Sequence, residues 1–203
     1  MTVIVDYGVG NLFSLESSFK KIGVTVKVSS DAEEIRAADK IILPGVGAFG
    51  DAADKLFASG LAEVVTERAN DGVYVLGICL GMQLLLDGSY EYGYHKGLSL
   101  IPGSVRPIAD VIPKEYKIPH IGWNALSFGK EKSPIFKYLT EGEFVYFVHS
   151  FYATDCDESV IATAEYGAPL TAAVAKGNVF GCQFHPEKSG EAGLKILKAF
   201  AEL

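Results

Sequence analysis

The sequence predicts an α/β fold, a three-layer, doubly wound, mostly parallel sheet to which the second half of the chain adds antiparallel strands. Three observations carry that prediction. Short apolar runs alternate with helical stretches through the first half, the pattern of strands joined by crossover helices. The run Val73-Tyr74-Val75-Leu76-Gly77-Ile78 is continuously apolar, as suits a strand buried on both faces of a parallel sheet. From about Leu98 the strand-like pieces are punctuated by Pro and Gly and follow too closely for crossover helices.

In chain order, Thr2 to Val5 reads as a short strand, followed by the turn Asp6-Tyr7-Gly8-Val9-Gly10-Asn11. Leu12, Leu15, Phe19 and Ile22 share one helical face, and Gly23 stops that helix. Val24 to Val28 alternates as a strand, and Lys40 to Leu43 reads as the next, ending at Pro44-Gly45-Val46-Gly47. Helical stretches follow near Phe49–Ala58 and Leu61–Asn70, then the apolar strand, then the helix formers Met82 to Leu86. Further strands are expected at Leu98–Ile101, Val105–Ile108, Trp123–Phe128, Phe144–Tyr152, Val160–Tyr166, Leu170–Ala175 and Val179–Phe184, all antiparallel. Ala192 to Leu203 is amphipathic, with Leu194, Leu197 and Phe200 in helical register. No internal repeat interrupts the chain, and residues 1–203 read as one domain.

Composition narrows the function classes. A net charge of −7, with no stripe of Lys and Arg, argues against nucleic acid as a partner. No apolar run approaches a membrane span. Three cysteines without paired spacing point to a reducing cytoplasm, and the strand pattern beginning at Thr2 leaves no room for a signal peptide.

The chemistry centres on Gly77-Ile78-Cys79-Leu80-Gly81, a nucleophile elbow with Cys in place of Ser. Free cysteines are more often small buried apolar residues, but the flanking glycines and the strand-to-helix context reverse that reading. The glycines let strand and helix approach around a sharp turn, and the helix N-terminus favours a thiolate. The N–H of Leu80 can face an oxyanion, and a second donor is expected from Gly45-Val46-Gly47 after the neighbouring strand.

A thiol nucleophile needs a base and an orienting group. Of the four histidines, His95 and His120 lie in loops, and His149 sits inside an apolar strand where a hydrogen-bonded core role is at least as good a reading. His185 ends a strand at Pro186, and Glu187 can reach back to its ring. The order Cys79, His185, Glu187 differs from that of α/β serine hydrolases, so geometry decides and not order. Gly8-Val9-Gly10 lacks the third glycine of a dinucleotide fingerprint, which removes NAD from consideration.

Gly77-Ile78-Cys79-Leu80-Gly81-Met82-Gln83, together with Phe184-His185-Pro186-Glu187, resembles the class I, triad-type glutamine amidotransferases. Asp6 to Leu12, Leu43 to Phe49, Pro119 to Asn124, Tyr146 to Ser150 and His185 to Ser189 narrow the resemblance to the glutaminase subunits of imidazole glycerol phosphate synthases. It runs from end to end of the chain.

The resemblance implies that Cys79 attacks the glutamine side-chain amide, with His185 as base and acid and Glu187 orienting it. Gly47 and Leu80 would neighbour the oxyanion, with Val46 in a strand that reorients, and Gln83, His149, Ser150 and Phe151 would line the glutamine site. Asn11, Trp123, Asn124, Tyr146 and Lys188 would face a partner cyclase with a (β/α)8 barrel, the two forming a heterodimer. No metal and no organic cofactor is implied. Ser99 stands where the family more often has Gly, and Phe151 where it often has Tyr.

Two other readings compete. One is a class I glutaminase serving another acceptor, such as anthranilate synthase, against which Gly122-Trp123-Asn124 and Lys188 speak. The other is a metal-binding scaffold using Cys79, His185 and Glu187, for which no CxxC or HxxxH spacing exists and under which the elbow is unexplained.

Overall fold

The structure, a computed structural model, describes residues 1–203. The first half alternates strands β1 (Thr2–Val5), β2 (Val26–Ser29), β3 (Lys40–Leu43) and β4 (Tyr74–Ile78) with helices α1 (Leu12–Lys21), α2 (Ala32–Arg36), α3 (Phe49–Ala58) and α4 (Leu61–Asn70). Helix α5 (Leu80–Leu84) follows β4 after the one residue Cys79. Next come β5 (Gly88–Ser89), β6 (His95–Lys96), β7 (Ser104–Pro107), β8 (His120–Ala125), β9 (Ser127–Phe128) and β10 (Phe144–His149). The last elements are β11 (Phe151–Thr154), β12 (Val160–Glu165), β13 (Pro169–Lys176), β14 (Val179–Cys182) and helix α6 (Gly190–Ala201).

The central sheet has eight strands in the order β2-β1-β3-β4-β14-β13-β12-β9. From β2 to β14 every neighbour is parallel, and from β14 to β9 every neighbour is antiparallel. β3, β4 and β14 are adjacent and parallel, so their three C-terminal ends lie together on one edge. Their continuous apolar runs are explained by the layers on either face. Val3, Val5, Ile41, Leu43 and Val75 pack under α3, α4 and α5, while Ile4, Ile42, Leu76 and Ile78 pack under α1 and α6. Each fully buried aliphatic side chain there contributes about 1.5–3 kcal/mol, so these strands tolerate no polar face. A ribbon of β8 and β10 and a four-stranded sheet in the order β11-β7-β5-β6 flank the strand ends. No helix is long and apolar enough to cross a membrane.

Several expectations need correction. Leu98–Ile101 is not a strand: its N–H groups donate to Leu84, Leu85 and Leu86 carbonyls and so satisfy the end of α5, which a helix cannot do for itself. Ser99 there has φ 53°, the left-handed conformation that favours glycine. β14 is antiparallel to β13 but parallel to β4, and β5 is parallel to β7, so the second half is mixed. The run from Phe144 to Tyr152 breaks at Ser150, where β10 joins the ribbon and β11 joins the other sheet. Trp123–Phe128 is likewise two strands, of which β8 begins at His120. His95 lies in β6 and not in a loop. Helix α2 was not expected, although Asp31 caps it by accepting from the N–H groups of Glu33 and Glu34.

Candidate active site

The elbow is built by close packing at glycine. A Cβ on Gly81 would stand 1.8 Å from the Leu43 carbonyl oxygen, and one on Gly77 would stand 2.6 Å from the Gly81 oxygen. Only glycine lets α5 start this near the ends of β3 and β4. Cys79 takes the strain of the turn, with φ 53° and ψ −110°, far from the usual regions for an L-residue. Its Sγ faces a cleft of about 460 Å³ lined by Val46, Gly47, Gln83, His149, Phe151 and His185, among others.

The registered pair Ile78 and Cys182 on β4 and β14 carries the two strands out together, and the Cys79 N–H donates to the Cys182 carbonyl at 2.7 Å. His185 follows three residues later and lies against Cys79. Its Nδ1 is 2.8 Å from Glu187 Oε1, and both side chains are only 2% exposed. Burial alone would strip the imidazole of its proton. The hydrogen bonds to Cys79 and Glu187 outweigh it and push the His185 pKa up to about 9. The second carboxylate oxygen, Oε2, is buried without a partner, so Glu187 is committed to the histidine. Gly193 lets α6 close over this turn, since a Cβ there would meet the Pro186 oxygen at 1.8 Å.

On the opposite wall Pro44-Gly45-Val46-Gly47 leaves β3. The Tyr7 hydroxyl donates to the Pro44 carbonyl at 2.6 Å, and burial raises its pKa so that it stays a donor. Val46 is 41% exposed in the cleft wall, and Gly47 has φ 94°, with nothing near its Cα in the direction of a Cβ. Leu80, the first residue of α5, lines the cleft as well.

The residues expected to hold substrate meet here, but their bonds differ. Gln83 donates from Nε2 to the Phe151 carbonyl at 3.3 Å and to Gln183 Oε1 at 3.0 Å. Ser150 and Phe151 line the floor. His149 lines the cleft with both ring nitrogens engaged, Nδ1 with the Phe151 carbonyl at 2.8 Å and Nε2 with His120 Nδ1 at 2.9 Å. Burial pushes both of those pKa values down to about 4. The core-histidine reading of His149 is therefore the one its bonds describe.

Of the five residues expected at a partner face, Trp123 and Tyr146 are cross-strand neighbours with ring centroids 6.1 Å apart. Lys188 is exposed at the cleft edge, and Gly190 lies below the Trp123 ring. Asn11 caps α1, its side chain accepting from the Ser14 N–H at 3.4 Å. Asn124 stands apart: its amide donates to the Glu165 carbonyl and accepts from the Ala125 N–H, both at 2.8 Å.

Sequence reasoning missed Glu91, Tyr92 and Pro119, which line the cleft, and Gln183, which touches Cys79. Glu91 lies between short strands with no periodicity to mark it. Gln183 was quoted only as part of its strand, yet the parallel register that sets it beside Cys79 was not legible. No group of three or more His, Cys, Asp or Glu side chains could hold a metal ion.

The chain matches the family model described as glutamine amidotransferase class-I over residues 3–202. It is 50% identical over 201 residues to the imidazole glycerol phosphate synthase subunit HisH of Lactococcus lactis, covering 98% of this chain and 97% of that one. The subunit of the same name from Caldanaerobacter subterraneus is 48% identical over 204 residues, covering 100% of this chain and 98% of that protein. Among solved structures, one described as a glutamine amidotransferase superposes with a TM-score of 0.76 at 19% identity, covering 98% of this chain and 97% of that one. A chain of PurLQS from Thermotoga maritima gives 0.73 at 21% identity over 99% of this chain and 97% of that one, a likeness of fold.

Proposed function

The chain belongs to the class I glutamine amidotransferases, as a glutaminase subunit of imidazole glycerol phosphate synthase in histidine biosynthesis, and within that family we propose how its residues divide the work. Residues 1–203 act as one glutamine amidotransferase domain. Cys79 is the nucleophile, His185 the proton carrier and Glu187 its orienting carboxylate. With its pKa pushed up to about 9, His185 keeps a proton at neutrality beside the Cys79 sulfur, so it serves as the acid of the pair.

Sγ attacks the side-chain amide carbon of glutamine, and the carbonyl oxygen becomes an oxyanion. The N–H of Leu80 and a backbone donor of the Val46–Gly47 segment stabilise it, each worth about 3–4 kcal/mol when correctly placed. The C–N bond then breaks as His185 gives its proton to the departing nitrogen, leaving a thioester and ammonia. His185 next takes a proton from water, which attacks the thioester and releases glutamate with Cys79 restored. Gln83, Ser150, Phe151 and His149 line the glutamine site, and the Glu91 carboxylate in the cleft wall suits the α-ammonium group.

The chain carries no nucleotide chemistry of its own. The ammonia passes to a partner cyclase subunit, a (β/α)8 barrel bound as a heterodimer across Trp123, Tyr146, Lys188 and Asn11. Asn124 holds β8 to β12 beneath that face. Three free cysteines fit the reducing cytoplasm.

The observation that carries the reading is the buried 2.8 Å pair of His185 and Glu187 beside a cysteine strained into the cleft. A glutamine chloroketone should alkylate Cys79 alone and abolish glutaminase activity. Inactivation with the adduct on another residue would overturn it.

A further inference from the structure

We propose that Gln183 is a catalytic residue, whose side-chain amide donates a hydrogen bond to the Cys79 sulfur and stabilises the attacking thiolate. The inference rests on Cys79 being the nucleophile and goes beyond the triad. Gln183 is the residue after the registered pair Ile78 and Cys182, so the parallel pairing of β4 and β14 sets it beside Cys79. Its backbone N–H donates to the Ala172 carbonyl at 2.8 Å, its side chain is wholly buried, and its Nε2 lies 3.7 Å from Sγ.

Which end of the amide faces sulfur follows from counting donors. The Phe151 carbonyl can only accept, so the Gln83 group 3.3 Å from it must be the amide nitrogen. That nitrogen also donates to Gln183, so the Gln183 atom 3.0 Å away must be Oε1. The remaining end of Gln183 is then Nε2, and it points an N–H at Cys79. The same carbonyl fixes His149, whose Nδ1 donates to it and whose Nε2 therefore accepts from His120. One backbone oxygen thus sets the direction of a buried chain that ends on the nucleophile. An N–H at sulfur is worth more to the anion than to the thiol, because a hydrogen bond to a charged acceptor is roughly twice as strong as a neutral one.

Gln183→Met keeps the length of the side chain and removes the donor. Iodoacetamide alkylation of Cys79, followed on its peptide by mass spectrometry, should slow about tenfold near neutral pH, with the profile displaced upward by about one pH unit. Gln183→Glu, which offers an acceptor in place of a donor, should slow it further. A Gln183→Met protein that is folded and has the parent's alkylation profile would overturn the proposal.

Should that variant not fold, the unsubstituted protein decides. The side-chain amide resonances of Gln183 should move with pH along the alkylation profile, and should stay still in Cys79→Ala. Resonances that ignore pH in the parent would overturn the proposal. A Cys79→Ala complex that kept glutaminase activity would instead overturn the nucleophile on which it rests.

Discussion

The backbone N–H of His185 donates to the carbonyl of Tyr146 at 3.0 Å. Ser189 closes the ring, its hydroxyl accepting from the Tyr146 N–H at 2.9 Å and donating to the His185 carbonyl at 2.6 Å. β14 ends at Cys182, so the histidine is held by a strand of the separate ribbon, the one that carries Trp123 and Tyr146. The proton carrier is thus hydrogen-bonded to the backbone of the proposed partner face.

Ser189→Ala should therefore act on both stability and turnover. Ser189 is 1% exposed, and its loss removes two hydrogen bonds, about 1–3 kcal/mol in total. The urea midpoint should fall at an unchanged slope, and glutaminase kcat should fall more than KM rises. An unchanged midpoint would show that the ring is held by other contacts.

Glu187→Gln keeps the shape of the His185 partner and removes its charge. A hydrogen bond to a charged group contributes about 1.5–3 kcal/mol, so turnover should fall roughly 10- to 100-fold, less than for Cys79→Ala or His185→Ala. The alkaline limb of the pH–rate profile should move down, since the carboxylate helps hold His185 near 9. Turnover within a factor of two of the parent would remove Glu187 from the mechanism.

The histidines make opposite demands on pH. His120 and His149 are held down to about 4, so the unfolded chain binds protons that the folded one refuses. Stability should fall as pH drops from the ordinary histidine range near 6.5 toward 4, by roughly 1 kcal/mol per imidazole at about pH 5.5. His185 is held up to about 9, so its contribution is complete below 6.5 and is lost between 6.5 and 9. Urea midpoints across that range should form a dome. Midpoints that rise steadily down to pH 4 would contradict the neutral histidine pair.

Lys188 is exposed, and its backbone N–H donates to the His185 carbonyl at 3.0 Å. Lys188→Ala should change the stability of the isolated chain by no more than about 0.5 kcal/mol, as at other surface positions. It should weaken the stimulation of glutaminase by the cyclase and its ligand. Full stimulation would return Lys188 to an ordinary solvated charge.

The parts of this fold legible in the sequence are those in which one residue type has one physical use. The apolar runs of β1, β3 and β4 alternate with helical stretches and so read as strands covered on both faces, and Gly77 and Gly81 around Cys79 permit an approach that no Cβ allows. What stayed hidden depends on chain segments distant in sequence. Leu98–Ile101 has a strand's composition, yet its N–H groups are claimed by α5. Asn124 has the look of a surface contact, yet both ends of its amide are bound within the chain. Gln183 gains its place only through the register of β4 with β14, and no local pattern records a register.

The central claim is a division of labour between a thiol hydrolase and a separate synthase, and Cys79→Ser in the complex tests it most directly. The substitution keeps the shape of the elbow but offers a hydroxyl where a thiolate is needed. The complex should lose synthesis driven by glutamine and retain synthesis driven by ammonium salts at elevated pH. Equal loss of the two reactions, or full retention of the glutamine-driven one, would contradict the account.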